Sequence, residues 1–340
     1  MSDQDTLKVG VVISPDYHQI NQLVEFSPIF DELGYHQISV PEIWGRDAIT
    51  FLGALASKTK KVKISTGIIS MFSRTPALIG MTAATLDELS NGRFILGLGL
   101  SGPKVIENWH GMKYLKPLQR TEEFVSILRA IFNKDRVNFE TSQLGTLKGF
   151  RISNPTVRSD IPIHIASLGP KNIALTAKIA DGWIPIFMPE EMFKKEISHM
   201  KELVNGNGRN FNKFDITPFI PTIIGEEERQ KDLLKGHLGY YFGGMGTFYN
   251  NLLKRMGFED EAIEIMDHYA KGDILSGNRA VTDEIIEAVC IFGKKEDAIE
   301  KLIKFVKAGI TCPILALPFR STLEDARDTY QALSPKAFSM

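Results

Sequence analysis

The chain has 340 residues, 43% hydrophobic and 24% charged, the composition of a globular protein with ample material for a core. Its formal net charge of −1 argues against a nucleic-acid partner, because phosphate binding needs a basic excess. The two cysteines, Cys290 and Cys312, make neither a disulfide framework nor a metal site and fit a reducing cytoplasm; MSDQDTLKVG lacks an apolar signal core, and no apolar run approaches the ~18 residues that span a membrane.

Short β-branched runs alternate with amphipathic stretches. LKVGVVI (Leu7–Ile13) reads as a strand, followed by a helix near Ile20–Leu33 that Gly34 ends. HQISVP is the next strand, ITFLGALASKT the next helix and VKISTGII (Val62–Ile69) the third strand. Thr75 can cap the following helix, Pro76 suits its first turn, and Asn91-Gly92 closes it. RFILGLG is the fourth strand, PLQRTEEFVSILRAIF a helix, and residues 138–158 a polar stretch. IPIHIAS (Ile161–Ser167), WIPIF (Trp183–Phe187), DITPFIPTII (Asp215–Ile224) and CPILAL (Cys312–Leu317) complete the strands, with GPKNIALTAKIADG and PEEMFKKEISHMKELVNG as helices. Pro162, Pro218 and Pro313 suit strand starts or bulges. About eight strands separated by helices predict an α/β fold, a (β/α)8 TIM barrel with insertions, in a single domain over 1–340. The helical region at about 226–308 exceeds a standard connection. It reads either as an insertion that covers a site or makes an oligomer contact, or as extra packing helices.

GLGLSG, Gly97 to Gly102, matches the dinucleotide fingerprint G-x-G-x-x-G. The acidic residues about 20 positions on, Glu122 and Glu123, lie in an amphipathic helix rather than at a strand end, and the match follows three complete βα units, so the Rossmann reading fails. Gly97 and Gly99 either let a flat ring approach the strand end or ease strand packing. In ASLGPKN a strand ends at Ser167, Gly169 turns and Pro170 opens a helix, with Lys171 beside it. Its free N–H groups can cradle an anion or bind only water.

VPEIWGRDA, STGIISMFSRTPALIGMTAATLDELSNGRFILGLGLSGP, PLQRTEEFVSILRAI, IPIHIASLGPKNIALTAKIADGWIPIF and NGNGRNFNKFDITP resemble the bacterial luciferase-like superfamily. The resemblance is closer to its branch that uses the deazaflavin coenzyme F420, which includes the methylenetetrahydromethanopterin reductases. It runs from about Leu7 to about Phe319 and is weaker across the insertion. It implies a TIM barrel with the cofactor at the C-terminal strand ends and a cis peptide at Gly67–Ile68, next to Thr66. It implies that Gly97, Gly99 and Ser101 lie beside the ring, and that Ser167, Gly169, Pro170 and Lys171 hold the phosphate. At the end of the second strand, Glu42 and Ile43 stand where the family often has an Asp-His pair, and Val12 stands where the methanopterin reductases carry an acidic residue. FMN is the alternative cofactor on the same barrel.

Glu42 beside Trp44 is a candidate to exchange a proton with substrate or ring, or forms a salt bridge to Arg46. His110 is a candidate acid/base group or a structural loop residue. Trp44, Trp109 and Trp183 can stack on a ring or serve as core. The expected function is hydride transfer between the deazaflavin and an alcohol, carbonyl or imine, in a cytoplasmic homodimer or larger homo-oligomer without a membrane partner. An FMN-dependent monooxygenase and a non-catalytic flavin-binding protein are the alternatives.

Overall fold

A computed structural model describes residues 7–14, 16, 18–154 and 156–338. In chain order its strands are β1 (Gly10–Val12), β2 (Gln37–Val40), β3 (Lys63–Thr66), β4 (Ile69–Ser70), β5 (Phe94–Gly99), β6 (Val137–Glu140), β7 (Thr146–Phe150), β8 (Ile163–Ile165), β9 (Gly182–Trp183), β10 (Asp215–Ile216), β11 (Phe219–Ile224), β12 (Ile291–Gly293) and β13 (Ile314–Ala316). The chain forms two compact units. One holds residues 11–184 and 202–215, the other the described residues of 1–10, 185–201 and 216–340.

In the first unit β2, β3, β5, β8 and β9 pair side by side, all parallel. β4 also pairs with β5. β2 and β5 are buried along their whole length, as a parallel sheet covered on both faces requires. The helices between them bury one apolar face each, through Phe51, Leu52 and Leu55 in Ala48–Lys58 and Phe124, Ile127 and Leu128 in Pro117–Phe132. Each such side chain contributes about 1.5–3 kcal/mol of burial. Local chemistry sets the ends of helix Pro76–Leu89. The Thr75 hydroxyl accepts from the Leu78 N–H, Pro76 needs no donor partner, and Asn91 and Gly92 turn the chain through positive φ.

Three sequence expectations change in this unit. The helix expected over Ile20–Leu33 is two, Ile20–Phe26 and Pro28–Leu33, because Pro28 supplies no N–H to continue the first. Gly34, at φ 79, does end the second. The strand expected over Val62–Ile69 breaks into β3 and β4 around a cis Gly67–Ile68 peptide. The polar stretch contains an antiparallel hairpin, β6 with β7.

In the second unit β11 lies between β12 and β13, parallel to both. The region expected to be helical over about 226–308 is interrupted after Val289. Ile291–Gly293 is then a strand, and helix Lys295–Lys307 completes a βα unit with it. The strand is only three residues long and directly follows the C-cap Cys290 of helix Asp283–Val289, so it is too short for a period to be read. Of the prolines, Pro162 precedes β8, Pro218 separates β10 from β11, and Pro313 precedes β13.

Candidate active site

The candidate residues lie in the first unit, at or beyond the C-terminal ends of β2, β3, β5 and β8. Parallel registers set those ends: Val40 faces Thr66, Leu98 faces Ile165, and Ser65 faces Ile95, so β5 runs on past the end of β3. The chain past them is tied together by backbone hydrogen bonds. The Gly67 N–H donates to the Val40 carbonyl at 2.7 Å and the Glu42 N–H to the Ile68 carbonyl at 3.3 Å.

At the end of β3, the Thr66 hydroxyl donates to the Gly97 carbonyl at 2.7 Å and accepts from the Gly97 N–H at 2.8 Å. The two glycines serve this junction. A Cβ on Gly97 would sit 2.0 Å from the Thr66 carbonyl oxygen, and one on Gly99 would sit 2.7 Å from Ile68 Cδ1. Close backbone approach therefore requires a glycine at 97, whereas Gly99 meets a side chain. Ser101, just past β5, holds a left-handed backbone at φ 61.

The Glu42 carboxylate is fully engaged. Arg74 donates from both terminal nitrogens, at 2.5 and 2.9 Å, and the Ala48 N–H donates at 3.0 Å. Arg74 also reaches Asp47 at 2.8 Å, and Asp47 caps helix Ala48–Lys58 through the Ile49 and Thr50 N–H groups. The Glu42 hydrogen bonds hold the Arg74 guanidinium above its ordinary range. The partner weighed for Glu42, Arg46, instead donates to the His18 carbonyl at 2.6 Å. Trp44, on the loop this network braces, is about half exposed. His110 follows the short helix Pro103–Asn108, and its N–H donates to the Val105 carbonyl. No hydrogen bond or ion pair joins its side chain to Glu42 or to the glycine junction among the described residues. Trp183 is fully buried and its indole N–H donates to the Ser167 carbonyl at 2.8 Å, which makes it core; Trp109 is exposed.

At the second glycine site, Gly169 precedes helix Pro170–Ile179 with no side chain capping it. Its φ of −87 is extended rather than left-handed, so any residue can hold this backbone. A Cβ built there meets nothing within 4 Å, so the space before the helix start is open. In the first turn, Asn172 Oδ1 is buried without a hydrogen-bond partner among the described residues. The open cradle of N–H groups at this helix start fits the phosphate of a bound coenzyme, whereas Asn172 Oδ1, an acceptor, offers it no hydrogen bond. Ser167 contributes differently from expectation. Its hydroxyl is buried and bonded to Thr176 Oγ1 at 2.9 Å. Lys171 is exposed beside the opening.

Sequence reasoning missed Arg74. Its only local signal is its place just after the third strand, in SRTP, 32 residues from the carboxylate it binds. Among the described residues no group of three or more His, Cys, Asp or Glu could hold a metal ion, and no helix is long and apolar enough to cross a membrane.

Comparison with known proteins places this geometry. The profile of the luciferase-like monooxygenase family matches residues 7–312. A provisionally named coenzyme F420-dependent oxidoreductase of Mycobacterium tuberculosis is 31% identical over 318 residues, 88% of this chain and 90% of that protein. The 5,10-methylenetetrahydromethanopterin reductase of Archaeoglobus fulgidus is 25% identical over 92% of this chain and 94% of its own. The solved structure of the coenzyme F420-dependent tetrahydromethanopterin reductase from Methanopyrus kandleri matches with a TM-score of 0.81 at 21% identity, covering 92% of this chain and 93% of that one. The fold is thus the α/β, luciferase-like TIM-barrel fold. With the family profile spanning 7–312, the chain belongs to the luciferase-like monooxygenase family.

Proposed function

We propose that the protein is a coenzyme F420-dependent oxidoreductase that transfers a hydride between the deazaflavin and a small organic substrate, an alcohol, carbonyl or imine. The observation that carries this reading is the 31% identity to the mycobacterial oxidoreductase over 90% of its length. When bound, the deazaflavin supplies or accepts the hydride. The open start of helix Pro170–Ile179 would hold its phosphodiester through the first-turn N–H groups, with Lys171 adding charge. The Thr66–Gly97 junction and the Gly67–Ile68 peptide form the wall offered to the ring. Trp44 offers an aromatic face beside it.

In this reading Glu42 is a positioning residue. Its oxygens are spent on Arg74 and the Ala48 N–H, so it fixes the loop carrying Trp44. His110 remains the candidate for proton exchange. An exposed apolar row on helix Pro76–Leu89, formed by Leu78, Met81 and Leu89, supports a homo-oligomer.

Fluorescence titration of the apo protein tests the cofactor. Coenzyme F420 is expected to bind at least about tenfold tighter than FMN, a difference of about 1.4 kcal/mol. Equal or tighter FMN binding overturns the reading.

A further inference from the structure

The second unit contains a polar group with no assigned use. His237, in the last turn of helix Glu228–Gly239, is 5% exposed. Its ring centroid lies 4.2 Å from that of Phe319, 5.1 Å from Tyr241 and 6.0 Å from Phe187. Tyr241 stacks on Phe319 at 5.8 Å and meets Phe187 edge-on at 4.9 Å, which closes an aromatic frame. Nδ1 of His237 is buried and has no hydrogen-bond partner among the described residues. Buried polar atoms are nearly always paired, so an orphan calls for an explanation.

Two backbone features border this frame. Phe187 holds φ 56, a conformation that a bulky residue keeps only where its surroundings impose it. Helix Glu228–Gly239 runs directly into a π-helical turn, Tyr240–Gly244, a feature that recurs at functional sites. Ile186 bridges Phe219 in parallel, and Phe219 pairs with Ile314. Phe187 and Phe319 follow those residues in the chain. They therefore lie toward the strands' C-terminal ends, where folds of parallel strands and helices place their ligands.

Burial pushes the imidazole down to about 3, which leaves it neutral at physiological pH. A neutral ring carries one N–H and one lone pair. It can donate to a carbonyl oxygen and accept from a hydroxyl, so it suits both members of an alcohol–carbonyl couple. A charged ligand would not suit a neutral imidazole framed by aromatic faces.

We propose that His237 belongs to a ligand-binding site of the second unit: within the frame of Phe187, Tyr241 and Phe319, its imidazole hydrogen-bonds the oxygen of a small, mainly apolar alcohol or ketone. The choice of alcohol and ketone rests on the hydride-transfer reading; the presence of an oxygen-binding site at His237 does not.

The test uses the full chain labelled with ¹⁵N-histidine and three probes of similar shape: cyclohexanol, cyclohexanone and methylcyclohexane. The His237 ring resonance, assigned by its loss in His237→Phe, is expected to move with the first two probes and not with the third. His237→Phe, which keeps a ring but no nitrogen, should bind cyclohexanol about tenfold more weakly, the scale of one lost hydrogen bond. Methylcyclohexane binding should stay unchanged. If His237→Phe does not fold, His237→Gln carries the test and should bind cyclohexanol within about threefold of wild type, since an amide restores donor and acceptor. Wild-type-like cyclohexanol binding by folded His237→Phe overturns the proposal. So does the absence of any His237 shift with the oxygenated probes, or a tenfold loss in His237→Gln. Coenzyme affinity is measured separately in the same samples. Failure to bind the deazaflavin would remove the hydride-transfer reading while leaving a His237 shift, and the oxygen site it reports, in place.

Discussion

At Glu42, both oxygens of one carboxylate meet donors from two directions, the Arg74 fork and the Ala48 N–H. The pair is mostly shielded, with side-chain exposures of 19% for Arg74 and 12% for Glu42. A bidentate, charge-assisted pair of this kind couples strongly. Removing one partner strands the other, so Glu42→Ala and Arg74→Ala should each destabilise, and the double variant should cost less than their sum by about 1–3 kcal/mol. Urea unfolding of the four proteins measures this; strict additivity would mean the pair contributes nothing as a unit. His237 makes a different prediction at the same scale. Its folded value of about 3 lies below the ordinary 6.5, so between those values the unfolded chain takes up a proton that the folded chain does not. Stability contributed at this site is therefore present above about pH 6.5 and is lost as pH falls toward 3. Relative to His237→Phe, the wild type should lose about 2 kcal/mol between pH 7 and pH 5. Parallel stability curves for the two proteins would show that the imidazole is not held neutral.

At the scale of an element, β5 and its neighbour meet where no side chain fits. Gly97→Ala would place a Cβ 2.0 Å from the Thr66 carbonyl oxygen, a backbone atom that cannot swing aside. Gly53, in the middle of helix Ala48–Lys58, has nothing within 4 Å of a built Cβ. Gly97→Ala should cost at least about 3 kcal/mol or prevent folding, whereas Gly53→Ala should stabilise by about 0.5–1 kcal/mol through helix propensity. Urea midpoints separate them, and similar midpoints would reject the close-approach account. Elements bounded by local chemistry were legible in the sequence. Thr75, Pro76 and Asn91-Gly92 bound a helix because each acts within a turn of its own backbone. Elements that depend on distant partners were not. β6 and β7 carry polar, exposed residues that form a hairpin only through each other, and β12 follows a helix and is defined by its pairing with β11. Pro28 was readable as a helix breaker, but the apolar periodicity on both sides of it masked the break.

For the whole molecule, the family and the candidate cofactor region were legible, because GLGLSG and SLGPKN sit at strand ends whose alternation with helices shows in the pattern of apolar residues. The partners of individual side chains were not. Arg74 lies 32 residues from Glu42, and Phe187 lies 50 residues before His237. Gly169 is where fold and coenzyme binding can be separated experimentally. Its φ of −87 and the open space around a built Cβ mean that Val at this position strains no backbone and that its Cβ meets no atom of the protein. The added methyls would instead occupy the opening before helix Pro170–Ile179, where an anion must approach the N–H groups. Gly169→Val should therefore leave the melting temperature of the apo protein within the small range typical of a surface change. It should raise the coenzyme dissociation constant by about 10–100-fold, or about 1.4–2.8 kcal/mol. The coenzyme-induced rise in melting temperature should shrink accordingly, since that rise reports occupancy of the folded state. Lys171→Ala should do less, because an exposed ammonium is screened by salt. Fluorescence titration alongside thermal melts, with and without coenzyme, measures all three quantities. A folded Gly169→Val protein that binds coenzyme as tightly as wild type would move the phosphate site away from this helix start.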